Sequence, residues 1–451
     1  MLGTCLMARR GMGLTGVMSG VLSRGRPGIR YRIQGSLPVS VEKGWVRSLA
    51  YSLFFEGRLG RGGDQNGCAG GHFWLDDLRR VLKFGGFLML MRRCRKNLLI
   101  GGVAGLLWLL SSPQGSAALP AVRLLDVDYP SEPSELAFNY APTLVQTADG
   151  LLVAWVGASR VDGPDASVYL SRQTGGGWGR PQRVASQTHR KTRIQVACRR
   201  PVLFKPTNES LLLFFQSDNE RGQRKGYLST SDDNGVTWLR AKVLPRGITG
   251  PAGAKPTELA DGDLLCGADT QRAGRVVHVE RASAFRKKWE WTRTRDLSYA
   301  RVHNASEPVL LYHGRGKIQA LCRSRRGYMV EGWSDDEGET WGKFGRSILP
   351  NPDSGLDVVR SEDGEFVLVY QHSNRERGIL NLATTRDGKE WAAAALLENE
   401  PGRSFSDPAM IKGADGNLHI VYCQDSRRIK HVVVDPESLS PVTMVGGNWP
   451  Y

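Results

Sequence analysis

Ser231-Asp-Asp-Asn-Gly-Val-Thr-Trp238 returns as Ser334-Asp-Asp-Glu-Gly-Glu-Thr-Trp341. Both fit the pattern S-x-D-x-G-x-T-W. Thr385-Arg-Asp-Gly-Lys-Glu-Trp391 is a relative one residue shorter, and Ser171 to Trp178 reads as a decayed copy. Such a segment is a turn closed on itself: a carboxylate accepts backbone N–H groups, Gly takes the left-handed position and Trp packs against the neighbouring sheet. Asp232 and Asp335 are therefore read as structural rather than catalytic.

These turns sit in register with a longer repeat, in which a Pro or Gly opens a short apolar run, a polar turn follows, and a second apolar run returns. The copies begin at Pro142, Pro201, Pro256, Pro308, Gly355 and Pro408, with turns at Asp149, Asn208, Asp261, Gly314, Asp363 and Asp415. Four of those turns are Asp-Gly, a dipeptide that tolerates the positive φ of a tight hairpin. A period near 50 residues signals propeller blades, with a second hairpin completing four strands per blade. Residues 119–451 are thus expected to be all-β, a six-bladed β-propeller.

The chain has 451 residues and a formal charge of +16, which favours anionic partners. Residues 1–90 contain Arg/Gly-rich segments, show no helical or strand periodicity, and are expected to be a non-native or disordered extension. After them, Met91-Arg-Arg-Cys-Arg-Lys96, the apolar Leu98–Leu110 and Ser116-Ala-Ala118 follow the order of a secretory signal peptide. The apolar run is shorter than the roughly 20 residues of a bilayer span, so cleavage after Ala118 and export to the periplasm or outside the cell are expected. An uncleaved segment would instead tie the protein to the membrane. Cys198, Cys266, Cys322 and Cys423 lie far apart without a C-x-x-C pair, so a zinc site is not expected; no other metal motif is visible in the sequence, and no cofactor is expected. One or two disulfides and buried free thiols both fit their apolar settings.

In a propeller, the starts of first strands and the ends of second strands share one rim. Ionisable groups crowd those positions: Arg199, Arg200, Lys255, Glu307 and Asp407 at the starts, with Tyr140; Arg160, Asp165, Asp269, Arg323, His372 and Arg377 at the ends. Several arginines around a few carboxylates suit an acidic saccharide bound through its carboxylate. Nucleic acid is not expected, since no aromatic platforms alternate with the basic residues.

Tyr140-Ala-Pro-Thr-Leu-Val, Pro201-Val-Leu-Phe, Ala320-Leu-Cys-Arg-Ser-Arg325, Leu349–Asp357, Phe405-Ser-Asp-Pro-Ala409 and Arg428–Asp435 resemble the sialidase (neuraminidase) superfamily, in particular its predicted-neuraminidase branch with BNR repeats and Asp-boxes. The resemblance covers roughly residues 135–440. It implies a sialidase-type propeller that removes a terminal acidic sugar by hydrolysis, with three arginines on the sugar carboxylate, a Tyr nucleophile assisted by a Glu, and an Asp acid/base. Carried over position by position, Glu307 matches the assisting Glu, Arg323 and Arg377 two of the arginines, and Asp165 the acid/base. Two positions depart from the pattern: Tyr140 stands where the first arginine is expected, and Phe405 where the nucleophile is expected. Asp407 is then the replacement nucleophile or base, with Arg199 or Arg200 replacing the lost arginine. A saccharide-binding propeller without catalysis is one alternative. Another is a lyase acting on uronic acid residues, with His372 or His303 and a Tyr as base and acid.

Overall fold

The computed structural model describes residues 122–450, apart from 133–134, 190, 208, 220, 271–273, 286–287 and 299–301, together with four strands between residues 3 and 57. The chain divides into two compact units, Met1–Ile100 and Gly101–Tyr451. The proposed signal segment, 91–118, lies outside the described residues.

In the first unit, Gly3–Leu6, Val17–Gly20, Ile29–Val41 and Trp45–Gly57 form an antiparallel sheet, with a long hairpin registered from Val41↔Trp45 to Ile29↔Gly57. These strands lie in the stretch expected to be a non-native or disordered extension. Ile29-Arg-Tyr-Arg-Ile33 alternates apolar and polar residues with the period of a strand, a pattern hidden within an Arg/Gly-rich composition.

The second unit is the six-bladed propeller of the sialidase type. Blade one is Phe138–Thr147, Gly150–Ala158, Ser167–Thr174 and Gln182–Ala185; blade two is Cys198–Phe204, Leu211–Asp218, Arg224–Ser231 and Lys242–Val243. Blade three is Thr257–Glu258, Leu264–Thr270, Val276–Phe285 and Lys288–Arg293; blade four is Ala305–Gly314, Lys317–Ser324, Tyr328–Ser334 and Gly345–Pro350. Blade five, Asp357–Arg360, Phe366–Tyr370, Ile379–Thr385 and Ala392–Asn399, gains a fifth strand from Val442–Thr443. Blade six takes Phe405–Lys412, Leu418–Gln424 and Arg428–Val434 from the C-terminal part of the chain. Its outer strand, Leu124–Asp128, comes from the N-terminal side and pairs antiparallel with Arg428–Val434, so strands from both ends of the propeller share one blade and close the ring. The turns read at Asp149, Asp261, Gly314, Asp363 and Asp415 join the first and second strands of their blades, and Asn208 lies outside the described residues. Leu, Val, Ile and aromatic residues of the strand middles fill the layers between blades, with Trp155, Trp391, Tyr370 and Phe214 almost wholly inaccessible.

The Asp-box turns behave as anticipated, but one residue along. Asp233 Oδ1 accepts the Thr237 N–H at 2.8 Å, and Asp336 Oδ1 accepts that of Thr340 at 2.8 Å; Ser231 and Ser334 Oγ accept the Gly235 and Gly338 N–H groups at 2.8 and 2.9 Å. These hydrogen bonds, led by those of the Thr hydroxyls, hold both carboxyls down to about 2. Asp233 and Asp336, not Asp232 and Asp335, are therefore the turn carboxylates. Asp232 instead accepts the Ser210 hydroxyl. All four cysteines are buried free thiols, which removes the disulfide alternative.

Candidate active site

The pocket is built from one repeated backbone device. In four blades the residue before the opening Pro has a left-handed backbone: Ala141 (φ 52°), Arg200 (φ 49°), Glu307 (φ 53°) and Asp407 (φ 51°). At each of these points the pairing of first and second strands slips, between Tyr140 and Thr143, Arg199 and Val202, Ser306 and Pro308, and Ser406 and Ala409. A bulge re-aims side chains, and a left-handed residue ahead of Pro is strained, by roughly 1–3 kcal/mol each. The ring spends that strain on turning Arg200, Glu307 and Asp407 towards the axis. Blade five brings a glycine there instead, because a Cβ on Gly355 would stand 3.2 Å from Asp407 Cα.

The result is a cavity of about 490 Å³ whose wall carries Arg199, Arg200, Arg224, Arg275, Arg323 and Arg377 with Asp162, Glu307, Asp353 and Asp407. Glu307 forms its floor. Arg200 Nη2 and Arg323 Nη2 both reach the same oxygen, Oε1, at 2.8 and 3.0 Å. Oε2 is left without a protein partner among the described residues. Burial raises the Glu307 carboxyl above its ordinary range, against the pull of Arg323 and Arg200. Behind it, Asp269 accepts Arg200 Nη1 with both oxygens at 2.9 Å and the Glu307 N–H at 3.1 Å. Burial would raise the Asp269 carboxyl, but Arg200 and that N–H outweigh it and hold the group below its ordinary value. Asp407 is the more open carboxylate, with Arg323 Nη1 3.9 Å away. Arg323 thus lies between the two acids.

Arg275, Arg323 and Arg377 gather around Asp353. Arg275 pairs with its carboxylate, Arg323 Nε stands 3.6 Å from Oδ1, and Arg377 donates to the Asp353 carbonyl oxygen. Among the described residues, Arg377 is the pocket arginine with no carboxylate partner. Across the cavity, Tyr140 lines the wall, its hydroxyl accepting the Asp162 N–H at 3.0 Å. Burial pushes that hydroxyl up to about 12. No cluster of His, Cys, Asp and Glu among the described residues is arranged to hold a metal ion.

The structure brings Tyr140, Arg199, Arg200, Glu307, Arg323, Arg377 and Asp407 together, as expected from the strand ends. It does not bring the others. Asp165 is folded into its own loop, Oδ2 accepting the Ser159 N–H at 2.8 Å, and Asp162, three residues earlier, lines the cavity in its place. Arg160 is exposed outside the pocket. Lys255 is drawn into an ion pair with buried Asp357, which also accepts the Met410 N–H at 2.8 Å. His372 bonds Tyr370 Oη at 2.6 Å and packs on Trp449, and burial lowers it to about 4. His303 likewise does not line the cavity, so neither histidine proposed as a lyase base is in place. Arg200 is fully engaged by Asp269 and Glu307 and does not substitute for the missing arginine. Phe405 is buried in the layer between blades five and six rather than in the pocket.

Arg224 and Arg275 were not anticipated. Their signal was periodic: Arg224, Arg275, Arg326 and Arg377 recur at a spacing of 51 residues, each where the loop after a blade's second strand leads into the third.

Residues 149–420 match the BNR repeat-like domain. The chain belongs to that family. Among curated proteins, none matches it. Solved structures share the propeller of this BNR-repeat chain. A protein of unknown function from Dyadobacter fermentans superposes with a TM-score of 0.58 at 14% identity, over 70% of this chain and 100% of its own. The NanB sialidase from Streptococcus pneumoniae gives 0.56 at 10% identity over 71% of each chain. Trypanosoma rangeli sialidase in complex with the inhibitor DANA gives 0.53 at 13%, over 66% of this chain and 55% of its own. The chain therefore spans only about half of that last enzyme. At these identities the likeness is one of fold.

Proposed function

We propose that this BNR-repeat protein is an exported glycoside hydrolase of sialidase type that removes a terminal acidic sugar, sialic acid or a relative, from glycoconjugates. The observation that carries this is the guanidinium of Arg377, which has no carboxylate partner among the described residues, in a cavity that also holds two carboxyls, Glu307 and Asp407, on either side of Arg323. The sugar carboxylate binds Arg377, with Arg323 and Arg275 adding charge beside it. Glu307, whose carboxyl burial raises above its ordinary range, is the acid that in its protonated form delivers a proton to the leaving oxygen. Asp407 is the nucleophile or the base that activates water in place of the absent Tyr, so two carboxyls share the work as in other glycosidases. Export through the segment 91–118, with cleavage after Ala118, places the enzyme where glycoconjugates are found.

The test is turnover of a fluorogenic sialic acid glycoside and a panel of acidic oligosaccharides. Wild-type turnover that falls about 100-fold or more in Glu307→Gln and Asp407→Asn, with a raised KM in Arg377→Ala, supports the reading. Binding without turnover would make the protein a saccharide-binding propeller, a reading favoured by the core position of Phe405. Unsaturated products absorbing in the ultraviolet would replace hydrolysis with elimination.

A further inference from the structure

We infer that the pocket contains a second anion subsite, formed by Arg199 and Arg224, so that the preferred saccharide carries another anionic group beyond the one held at Arg377. The inference rests on the saccharide reading of the pocket and adds to it. Asp218 does not line the cavity, yet it takes both arginines from behind: Arg224 Nε at 2.7 Å and Arg199 Nη1 at 3.4 Å. Arg199 Nε is bound to Asp162 at 2.9 Å, and Arg224 Nη1 donates to Gln216 Oε1 at 3.4 Å. Each guanidinium is thus held at both Nε and Nη1, and no hydrogen bond or ion pair among the described residues uses its Nη2. The side chains are only 22% and 29% exposed, so they are held in place and partly desolvated before any ligand arrives.

The chemistry of this end of the cavity is one-sided. Arg199 and Arg224 present N–H donors. Tyr140, its oxygen already accepting from Asp162, presents an O–H. Of the Asp162 carboxylate on the same wall, Oδ1 is taken by Arg199, which leaves Oδ2 as the acceptor among these donors. Neutral sugar hydroxyls need acceptors as well as donors, whereas a carboxylate or sulfate ester offers acceptors only. The subsite is also separate from the Arg377 end. It is organised by Asp218 on blade two, the other by Asp353 ahead of blade five, and these blades face each other across a six-bladed ring. A cavity of about 490 Å³ is in the range that encloses a ligand larger than a single sugar ring.

The test is calorimetry of the full chain with three non-hydrolysable thioglycosides, in which sialic acid is linked to galactose, to 6-sulfated galactose or to a second sialic acid. At low salt, at least one doubly anionic ligand is expected to bind about tenfold or more tighter than the galactoside. That preference should shrink to within about twofold in Arg224→Gln and in Asp218→Asn, and persist in Arg375→Gln, an exposed arginine off the pocket. Binding of the singly anionic ligand by each variant reports that it is folded. Equal affinity for all three ligands, or a preference that survives Arg224→Gln, would overturn the subsite while leaving the Arg377 reading intact. No binding of any of the three would remove the saccharide reading and the subsite together.

Discussion

Asp269→Asn is the sharpest test of how the pocket floor is held. Asp269 is 3% exposed and clamps Arg200 with both oxygens while accepting the Glu307 N–H. Removing one partner of a buried ion pair costs about 3–5 kcal/mol, because the other charge stays behind without compensation. Here Glu307 keeps its 2.8 Å contact with Arg200, so the lower end, about 3 kcal/mol, is expected. At about 2 °C per kcal/mol for a domain of this size, the unfolding midpoint drops by about 6 °C at pH 7. The loss depends on pH with a definite sign. Asp269 is held below its ordinary value in the fold, so its contribution is complete above its unfolded pKa of about 4. It fades as the pH falls towards the folded value. Variant and wild type should therefore converge in acid. Glu307 should respond too, since the charge of Asp269 helps to raise it. Without that charge, the Glu307 pKa falls, and the activity limb that depends on its proton moves to lower pH. Scanning calorimetry between pH 3 and 8, with a pH–rate profile, measures both effects. A midpoint unchanged within about 1 °C at pH 7, with an unmoved profile, would refute the reasoning.

Phe405→Tyr does not restore a nucleophile: the ring lies in the layer between blades five and six, and a hydroxyl buried there without a partner costs about 1–3 kcal/mol, read as a lower urea midpoint with no gain in turnover. Asp233→Ala and Asp336→Ala each remove the bonds that close an Asp-box turn and lower the thermal midpoint, whereas KM and kcat at the opposite end of the strands stay as they are; a change in kcat would contradict the structural role. Reducing agent leaves the unfolding midpoint unchanged, and thiol reagents label Cys198, Cys266, Cys322 and Cys423 only in denaturant, because all four are buried and unpaired. Intact mass of the exported protein should begin at Leu119; a mass that retains residue 91 would show an uncleaved segment.

The blades were legible because each depends on local rules: Asp149-Gly150, Asp261-Gly262, Asp363-Gly364 and Asp415-Gly416 bend where their φ preferences allow, between runs that can only be buried. Pocket residues were legible where the repeat fixes them, as for Arg200, Glu307 and Asp407, each directly ahead of a Pro. Loops were harder. Asp162 and Asp165 belong to one loop, and the choice between them is made by bonds to Tyr140 Oη and the Ser159 N–H, which no spacing reveals. Lys255 and His372 had the right positions along their strands, yet one was captured by Asp357 and the other by Tyr370 and the C-terminal Trp449. Asp357 and Trp449 are remote in sequence from the residues they capture. Arg224 and Arg275 obey the same period as Arg377, but they stand at the entries to third strands, where the strand-end pattern carries no signal.

Leu124–Asp128 is hydrogen-bonded to Arg428–Val434, so the two ends of the propeller are stitched into one sheet. During synthesis the first strand of the propeller has no mate until nearly the whole chain has followed it. Ring closure therefore has a very long loop to overcome, which makes it a slow and late event in folding. A nascent chain released before Val434 is left as an open horseshoe with its earliest strand dangling. Protein quality control would meet that strand as a bare hydrogen-bonding edge, and full-length chains would be the first to hide it.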